Sequence, residues 1–206
     1  SADQALAGAR DIIAQAVAED TDIRSKLRRL FTRSAIISSR VKPSKKEAAQ
    51  KYKDYFDWSE PAFKAPSHRV LAMLRGQKEG CLTVHILPDQ TRAIGLIEQV
   101  WLKTGGPCMP QVKNAVEDAY KRLLSKSLEK EAVNALKSAA DQVAIQVFVN
   151  NLRDLLLAPP LGRKKILAID PGFRTGCKVV CLDRQGGLKA HDVIHPHGAD
   201  TAKAEQ

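Results

Sequence analysis

The sequence predicts a mainly helical protein with a small β element, followed across a proline break by the first strands of a sheet. Three observations carry that expectation. Apolar residues recur at spacings of three and four through most of residues 5–157, the period of one helix face. Residues 35–41 (AIISSRV) and 81–87 (CLTVHIL) suit short strands instead, the second by strict alternation. Ala158-Pro159-Pro160-Leu161-Gly162 then ends the last helical pattern, because two prolines cannot continue a helix. Behind it Ile166-Leu167-Ala168-Ile169 is the short apolar run of a buried strand.

Taken in order, residues 5–19 form a helix with Leu6, Ala9, Ile13, Ala16 and Val17 on one face. Asp20-Thr21-Asp22 breaks the chain and supplies an N-cap. The next helix, about 22–34, buries Ile23, Leu27, Leu30 and Phe31 and carries Arg24, Lys26, Arg28, Arg29 and Arg33 outside. That basic side is either a solvated face or a phosphate-contacting one. Strand 35–41 leads to the basic loop Lys42–Lys46 and a third helix, about 44–56, with Ala48, Tyr52, Tyr55 and Phe56 inward and Asp57–Pro61 as its terminator. Trp58 and Phe63 beside lysines offer base stacking, but anchoring a core under a loop is the commoner use.

Ser67 is the expected cap of a fourth helix, with Val70, Leu71 and Leu74 inward. Its exit, Arg75-Gly76-Gln77-Lys78-Glu79-Gly80, lacks both GK[ST] and GxGxxG, so a helix C-cap explains the glycines better than a phosphate cradle. Strand 81–87 is expected to pair with 35–41, and His85 is read as structural. Helices follow over 90–104 (Ile94, Ile97, Val100, Trp101 inward), 110–126 (Val112, Val116, Tyr120, Leu123, Leu124) and 128–157. The last spans roughly 45 Å, long enough for a strut between domains, with Val133, Leu136, Ala140, Val143, Val147, Leu152 and Leu155 along one side. Beyond the break, strands at 166–169, 177–182 and 188–195 make a meander. A sheet ending there has an open edge and an open face, and the chain reads as a piece of a longer protein.

Composition narrows the function. Lys and Arg number 33 against 23 Asp and Glu, a formal net charge of +10, and the pI is about 9.6. Such an excess favours polyanions, because each neutralised phosphate releases a counterion. Four irregularly spaced cysteines make no disulfide framework, no apolar run reaches the ~20 residues of a membrane span, and no leader pattern opens the chain. The expected setting is cytoplasmic, with reduced thiols and no membrane. A zinc site on Cys177, Cys181, His195 and His197 is disfavoured, since cysteines four apart in one strand stand roughly 13 Å from each other.

One stretch carries possible chemistry. In ILAIDPGFRTGCKVVCLD (166–183) Asp170 closes a strand and Pro171-Gly172 turns the chain at once, which holds a carboxylate on a rigid element. Strand-Asp-Pro-Gly-x-x-x-Gly-strand resembles the opening of RNase H-like folds, especially resolvases of the RuvC and YqgF type. The resemblance implies a divalent metal, Mg²⁺ or Mn²⁺, at Asp170. Two-metal chemistry needs several carboxylates, and Asp183 and Asp192 do not match the other acidic positions of those enzymes. Over a longer span KDYFDWSEP (53–61), PSHRVLAMLRGQKEG (66–80), GARDIIAQAVAED (8–20) and the Asp170 stretch together resemble the central part of the bacterial Tex family of transcription accessory proteins.

That resemblance implies a central helical region over 1–160 and the N-terminal part of a YqgF-like, RNase H-like domain over 161–206, cut short. It also implies a larger protein with helix-hairpin-helix modules and an S1 RNA-binding domain elsewhere. The expected function is part of a transcription-associated protein that binds RNA, single-stranded DNA or duplex DNA, with this part mainly a scaffold and not an enzyme. Weak, sequence-independent contacts are expected from Arg24, Arg28, Arg29, Lys45, Lys46, Arg163, Lys164, Lys165 and Arg174, provided they cluster. Two alternatives stand beside it: a metal-dependent nuclease with Asp170 as ligand, and an interaction scaffold for polymerase or ribosome.

Overall fold

The computed structural model describes residues 2–102, 106–172 and 175–195. By its contacts the chain divides into two units, residues 1–151 and 152–206. The first contains α1 (Ala2–Glu19), α2 (Thr21–Ser34), β1 (Ile36–Val41), β2 (Asp57–Pro61), α3 (Ser67–Lys78), β3 (Leu82–Leu87), α4 (Gln90–Trp101), α5 (Met109–Asp118) and most of α6 (Ser125–Leu156). The second contains the end of α6 and a sheet of β4 (Ile166–Asp170), β5 (Cys177–Leu182) and β6 (Leu188–Ile194). The fold class is as expected: mainly helical, with a small β element, then the strands of a second sheet.

The junction of α1 and α2 shows how locally the chain is specified. Asp20 is the N-cap of α2, and its Oδ1 accepts the backbone N–H of Asp22 at 2.9 Å and of Ile23 at 3.1 Å. Its other oxygen accepts the indole N–H of Trp101 at 3.3 Å, so one carboxylate both starts α2 and ties it to α4. Ile23, Leu27, Leu30 and Phe31 are buried below, as their spacing predicts. On α1 the buried face is Ala14, Val17 and Ala18, one step round from the predicted face: Ala16 and Leu6 are exposed.

β1 is central in a three-stranded antiparallel sheet of order β2-β1-β3. Its pairing with β3, Ile37 opposite Ile86 and Ser39 opposite Val84, is the expected one. β2 corrects the sequence reading, in which Asp57–Pro61 only terminated a helix. Alternation is visible once the strand is known, with Trp58 and Glu60 turned inward and Pro61 on an outer strand where no ladder donor is needed. The predicted helix 44–56 is also corrected. Only 3₁₀ turns form, at Pro43–Lys45 and Gln50–Tyr55, with Tyr52 outside helical geometry at φ −113°, ψ 16°. Tertiary packing overrides local propensity here. Tyr52 and Ala49, not Ala48, are buried, and the Ser39 hydroxyl donates to the Tyr55 carbonyl.

Trp58 is half-buried with Arg69 lying over its ring at 5.2 Å and Tyr55 edge-on at 6.3 Å. One face of that indole is thereby taken, and it serves as the anchor expected of it. Phe63 is 41% exposed and does not.

α3 ends in a Schellman motif. Cys81 N–H bonds to the Gly76 carbonyl and Gly80 N–H to the Gln77 carbonyl, with Gly80 at φ +74°. The glycines therefore close a helix, as read from sequence. Ser67 is the first helical residue, not a cap; Pro66 precedes it and no side chain caps the helix. Gly76 has a second reason to be glycine, since a Cβ there would stand 2.6 Å from Leu82 Cδ1.

From Met109 to Leu156 the chain is helical without the break expected near residue 127. A π-helical segment, Ala119–Leu124, joins α5 to α6. Buried Val116, Tyr120, Leu124, Leu128, Leu136 and Ala140, with Ala132 between, repeat every four residues. Successive members of a four-residue repeat advance about 40° round an α-helix, and a wider π turn offsets part of that drift. The stripe keeps Leu136 and Ala140 of the predicted one and departs from it beyond them: Val133 is partly buried, while Val143, Val147, Leu152 and Leu155 are exposed.

In the second unit β4, β5 and β6 form the expected antiparallel meander. Leu167, Ile169, Leu188, Val193 and Ile194 are exposed within that sheet.

Two glycine substitutions test this account. Gly80→Ala forces a left-handed residue with a Cβ and should cost about 1–2 kcal/mol. Gly76→Ala overpacks against fully buried Leu82 and should cost about 1–3 kcal/mol. Both should lower the urea midpoint of unfolding with little change in slope; an unchanged midpoint for Gly80→Ala contradicts the capping assignment.

Candidate nucleic-acid interface

Within the first unit, the cations predicted to bind nucleic acid do not all line one groove. α2 sorts them by helix angle. At about 100° per residue, Arg24 and Arg28 fall on one flank of the buried stripe, and Lys26, Arg29 and Arg33 on the other. Glu131 of α6 takes the first flank. Its carboxylate receives Arg24 Nη2 at 3.0 Å and Arg28 Nε at 2.7 Å, and Arg24 also donates to the Ser127 hydroxyl at 2.9 Å. Hydrogen bonding to Arg28 first, and its charge, hold the Glu131 carboxyl below the usual carboxylate range; Arg24 adds to this. Arg24 and Arg28 are therefore structural partners of α6.

The opposite flank is different. Lys26, Arg29, Arg33 and Ser34 of α2 face Arg92 and Leu96 of α4 across a groove of about 370 Å³, floored by Leu30. No carboxylate lines it. Lys26 is bonded to Asp22 one turn back at 2.7 Å. Arg29, Arg33 and Arg92 are exposed and make no ion pair among the described residues. Of these four cations Arg29 is among the expected contacts, and Lys26 and Arg33 belong with it to the predicted basic side of α2. A helical wheel of residues 21–34 separates the two flanks from sequence alone; Arg92, 59 residues beyond Arg33 in the numbering, could only come from the packing of α4 on α2.

Lys45 and Lys46 lie at the exposed 3₁₀ turn after β1 and are not among the residues lining this groove. Arg163, Lys164 and Lys165 are exposed in the segment before β4, in the second unit. Arg174 lies outside the described residues, as does His197.

Asp170 ends β4, opposite Lys178, whose ammonium is 4.0 Å away. Asp192 is opposite Val179, the next residue along β5, so it projects from the other face of the sheet. Asp183 lies beyond the far end of β5 and is engaged in its own turn. It accepts N–H groups of Gln185 at 3.0 Å and Gly187 at 2.7 Å, and Lys189 at 3.0 Å holds it below the usual range. Among the described residues no three His, Cys, Asp or Glu side chains converge. A lone carboxylate beside an ammonium does not fit the donor set that a pair of Mg²⁺ or Mn²⁺ ions needs. His85, read as structural, meets Glu129 at 2.9 Å, and the same carboxylate accepts the Ile86 N–H at 3.0 Å.

The first unit is thus a helical body built on a three-stranded sheet with a basic groove that no carboxylate lines, and the second contains a β-meander whose exposed Asp170 and Asp192 project from opposite faces. Residues 1–148 match the family model described as Tex central region-like, and residues 164–206 match that of the Tex protein YqgF-like domain. The chain belongs to the Tex family.

Similar proteins include the uncharacterized protein YdcI of Bacillus subtilis, 37% identical over 95% of this chain and 27% of its own length. The transcriptional accessory protein Tex of Neisseria gonorrhoeae is 37% identical over 94% of this chain and 26% of its own. The human S1 RNA-binding domain-containing protein 1 is 28% identical over 92% and 20%. The chain spans about a quarter of the length of the bacterial relatives it matches. Among the described residues no helix is long and apolar enough to cross a membrane.

The Glu131 cluster makes a pH prediction. A carboxyl held below its unfolded value adds stability that is complete above about pH 4.3 and is lost as pH falls through the folded value. Glu131→Gln should therefore lower the melting temperature at pH 7, by an amount corresponding to about 1 kcal/mol. The gap from the parent should close as pH drops below about 4. A gap that is constant from pH 7 to pH 3 contradicts the assignment.

Proposed function

We propose that this chain is part of a transcription-associated nucleic-acid-binding protein. In this reading residues 1–160 serve mainly as a scaffold and residues 161–206 begin a YqgF-like domain. The observation that carries it is family membership: relatives matched over nearly the whole of this chain bear the names transcriptional accessory protein and S1 RNA-binding domain-containing protein. The net charge of +10 agrees with a polyanionic partner. RNA, single-stranded DNA and duplex DNA all present the phosphates such a charge attracts. Dissociation constants of about 10⁻⁴ to 10⁻⁶ M are expected near physiological salt, with the logarithm of affinity falling linearly against the logarithm of salt concentration. Fluorescence anisotropy with labelled oligonucleotides from 25 to 300 mM KCl reads this out. Affinity indifferent to salt, or no binding at the lowest salt, overturns it.

The same reading holds that the chain does not cut strands. The pairing of Asp170 with Lys178 supports this, as does the turn that occupies Asp183. Incubation of a labelled strand or four-way junction with the chain and Mg²⁺ or Mn²⁺ should leave it intact. Cleavage that Asp170→Asn abolishes refutes this part.

A further inference from the structure

We propose that the groove between α2 and α4 is a track for the sugar–phosphate backbone of a nucleic acid, gripped by Arg29, Arg33 and Arg92 with Lys26 at one end. It rests on the nucleic-acid reading above and assigns that binding to one place on the chain.

Four observations converge. The groove draws cations from two helices and no carboxylate lines it. Elsewhere Arg24, Arg28, Lys51, Arg69, Lys121, Arg122 and Lys137 each have an acidic partner. Second, the three arginines are exposed and uncommitted, so binding a phosphate costs them no broken ion pair. Lys26 has to share with Asp22, a solvent-facing contact one helical turn away and of the kind worth little. Third, the guanidinium fork matches phosphate oxygens two at a time. Fourth, the spacing suits a strand. Lys26, Arg29 and Arg33 fall at intervals of three and four, so they stand in a row along about 10 Å of helix. At 3.4 Å of rise per residue of one strand, that row faces about three phosphates.

What lines the rest of the groove sets what is not read. Leu30 and Leu96 form the apolar floor, and no aromatic ring, amide or carboxylate is present to stack on or pair with a base. The groove therefore holds the backbone and ignores sequence.

The test uses the full 206-residue chain and labelled 20-mers: single-stranded RNA of mixed sequence, homopolymers, the same sequence as DNA, and duplex DNA. The variant is the triple Arg29→Gln, Arg33→Gln, Arg92→Gln, which keeps helix propensity and stem length at exposed positions. The control is Lys53→Gln, Lys64→Gln, Lys126→Gln, which removes the same charge elsewhere. A second triple with Arg→Lys at the groove retains charge. If three phosphate contacts are lost, the salt slope on a single strand should fall by about 2. Between 50 and 200 mM salt the parent would then lose about 20-fold more affinity than the groove variant. The control and the Arg→Lys triple should keep slopes near the parent's, and homopolymers should bind alike.

Equal losses for groove variant and control overturn the proposal, because charge alone would then explain binding while the broader reading survives. Displacement of the strand by polyglutamate at equal charge concentration overturns it as well, assigning the groove to an acidic polypeptide. A parent chain that binds none of the nucleic acids overturns both readings. Circular dichroism and melting temperatures of every variant, expected to match the parent's, show that any loss is at the groove; a groove triple that fails to fold makes the Arg→Lys triple's slope and strand cross-linking decisive.

Discussion

Much of the first unit depends on how two carboxylates in the opening turns of α6 are used. Glu129 and Glu131 are two residues apart, so they project from different sides of the helix. Glu129 reaches the end of β3, where it satisfies the Ile86 N–H and meets His85. Glu131 reaches α2 and holds two arginines. Leu128 and Ala132, buried beside them, supply the apolar contact that ion pairs alone would not. One stretch of helix is thereby fixed in rotation against both a sheet and a helix. Glu131 also shapes the surface: by engaging both cations of one flank of α2 it halves that flank's net charge, while no carboxylate lines the groove on the other flank.

What the sequence disclosed follows from which interactions are local. The α2 boundaries, its Asp20 cap and its buried stripe were legible because each depends on residues within one or two turns. The Schellman ending of α3 was legible for the same reason, and the β1–β3 pairing from two isolated strand-like runs. The failures are equally physical. Residues 44–56 have the composition of a helix, yet Tyr52 is drawn out of helical geometry into the core. β2 hid behind a tryptophan and a proline because an outer strand tolerates what a central one rejects. The break expected near residue 127 does not form, because a π segment carries the helix on from α5 into α6.

The candidate surface was only half legible. Seven of the nine nominated cations fall among residues that the structure commits or places elsewhere: Arg24 and Arg28 on Glu131, more than 100 residues away in sequence, Lys45 and Lys46 at another turn, and Arg163–Lys165 in the second unit. Nothing in the neighbourhood of residues 24–28 announces Glu131 as a partner. The period of α2 does announce that Arg24 and Arg28 share a flank without Arg29. Counting cations along a helix, instead of placing them around it, merged two surfaces with opposite fates.

The distinction bears on what a net charge of +10 means. Counterions condense on a polyanion and are released only when a cation arrives whose field is not already cancelled at short range. An arginine held at 2.7 Å by a carboxylate presents a dipole to a strand several ångströms away, and salt at physiological strength screens what remains. The same residue with no partner presents its full charge. Two chains of identical composition can therefore differ widely in affinity for nucleic acid, according to how many cations are paired internally. In this chain several carboxylates of the first unit are engaged internally: Glu131 ties α2 to α6, Asp118 pairs with Arg122 one turn on, and Glu79 pairs with Lys51. Cations they do not reach keep a field that extends into solvent, and Arg29, Arg33 and Arg92 are three of these brought to one groove.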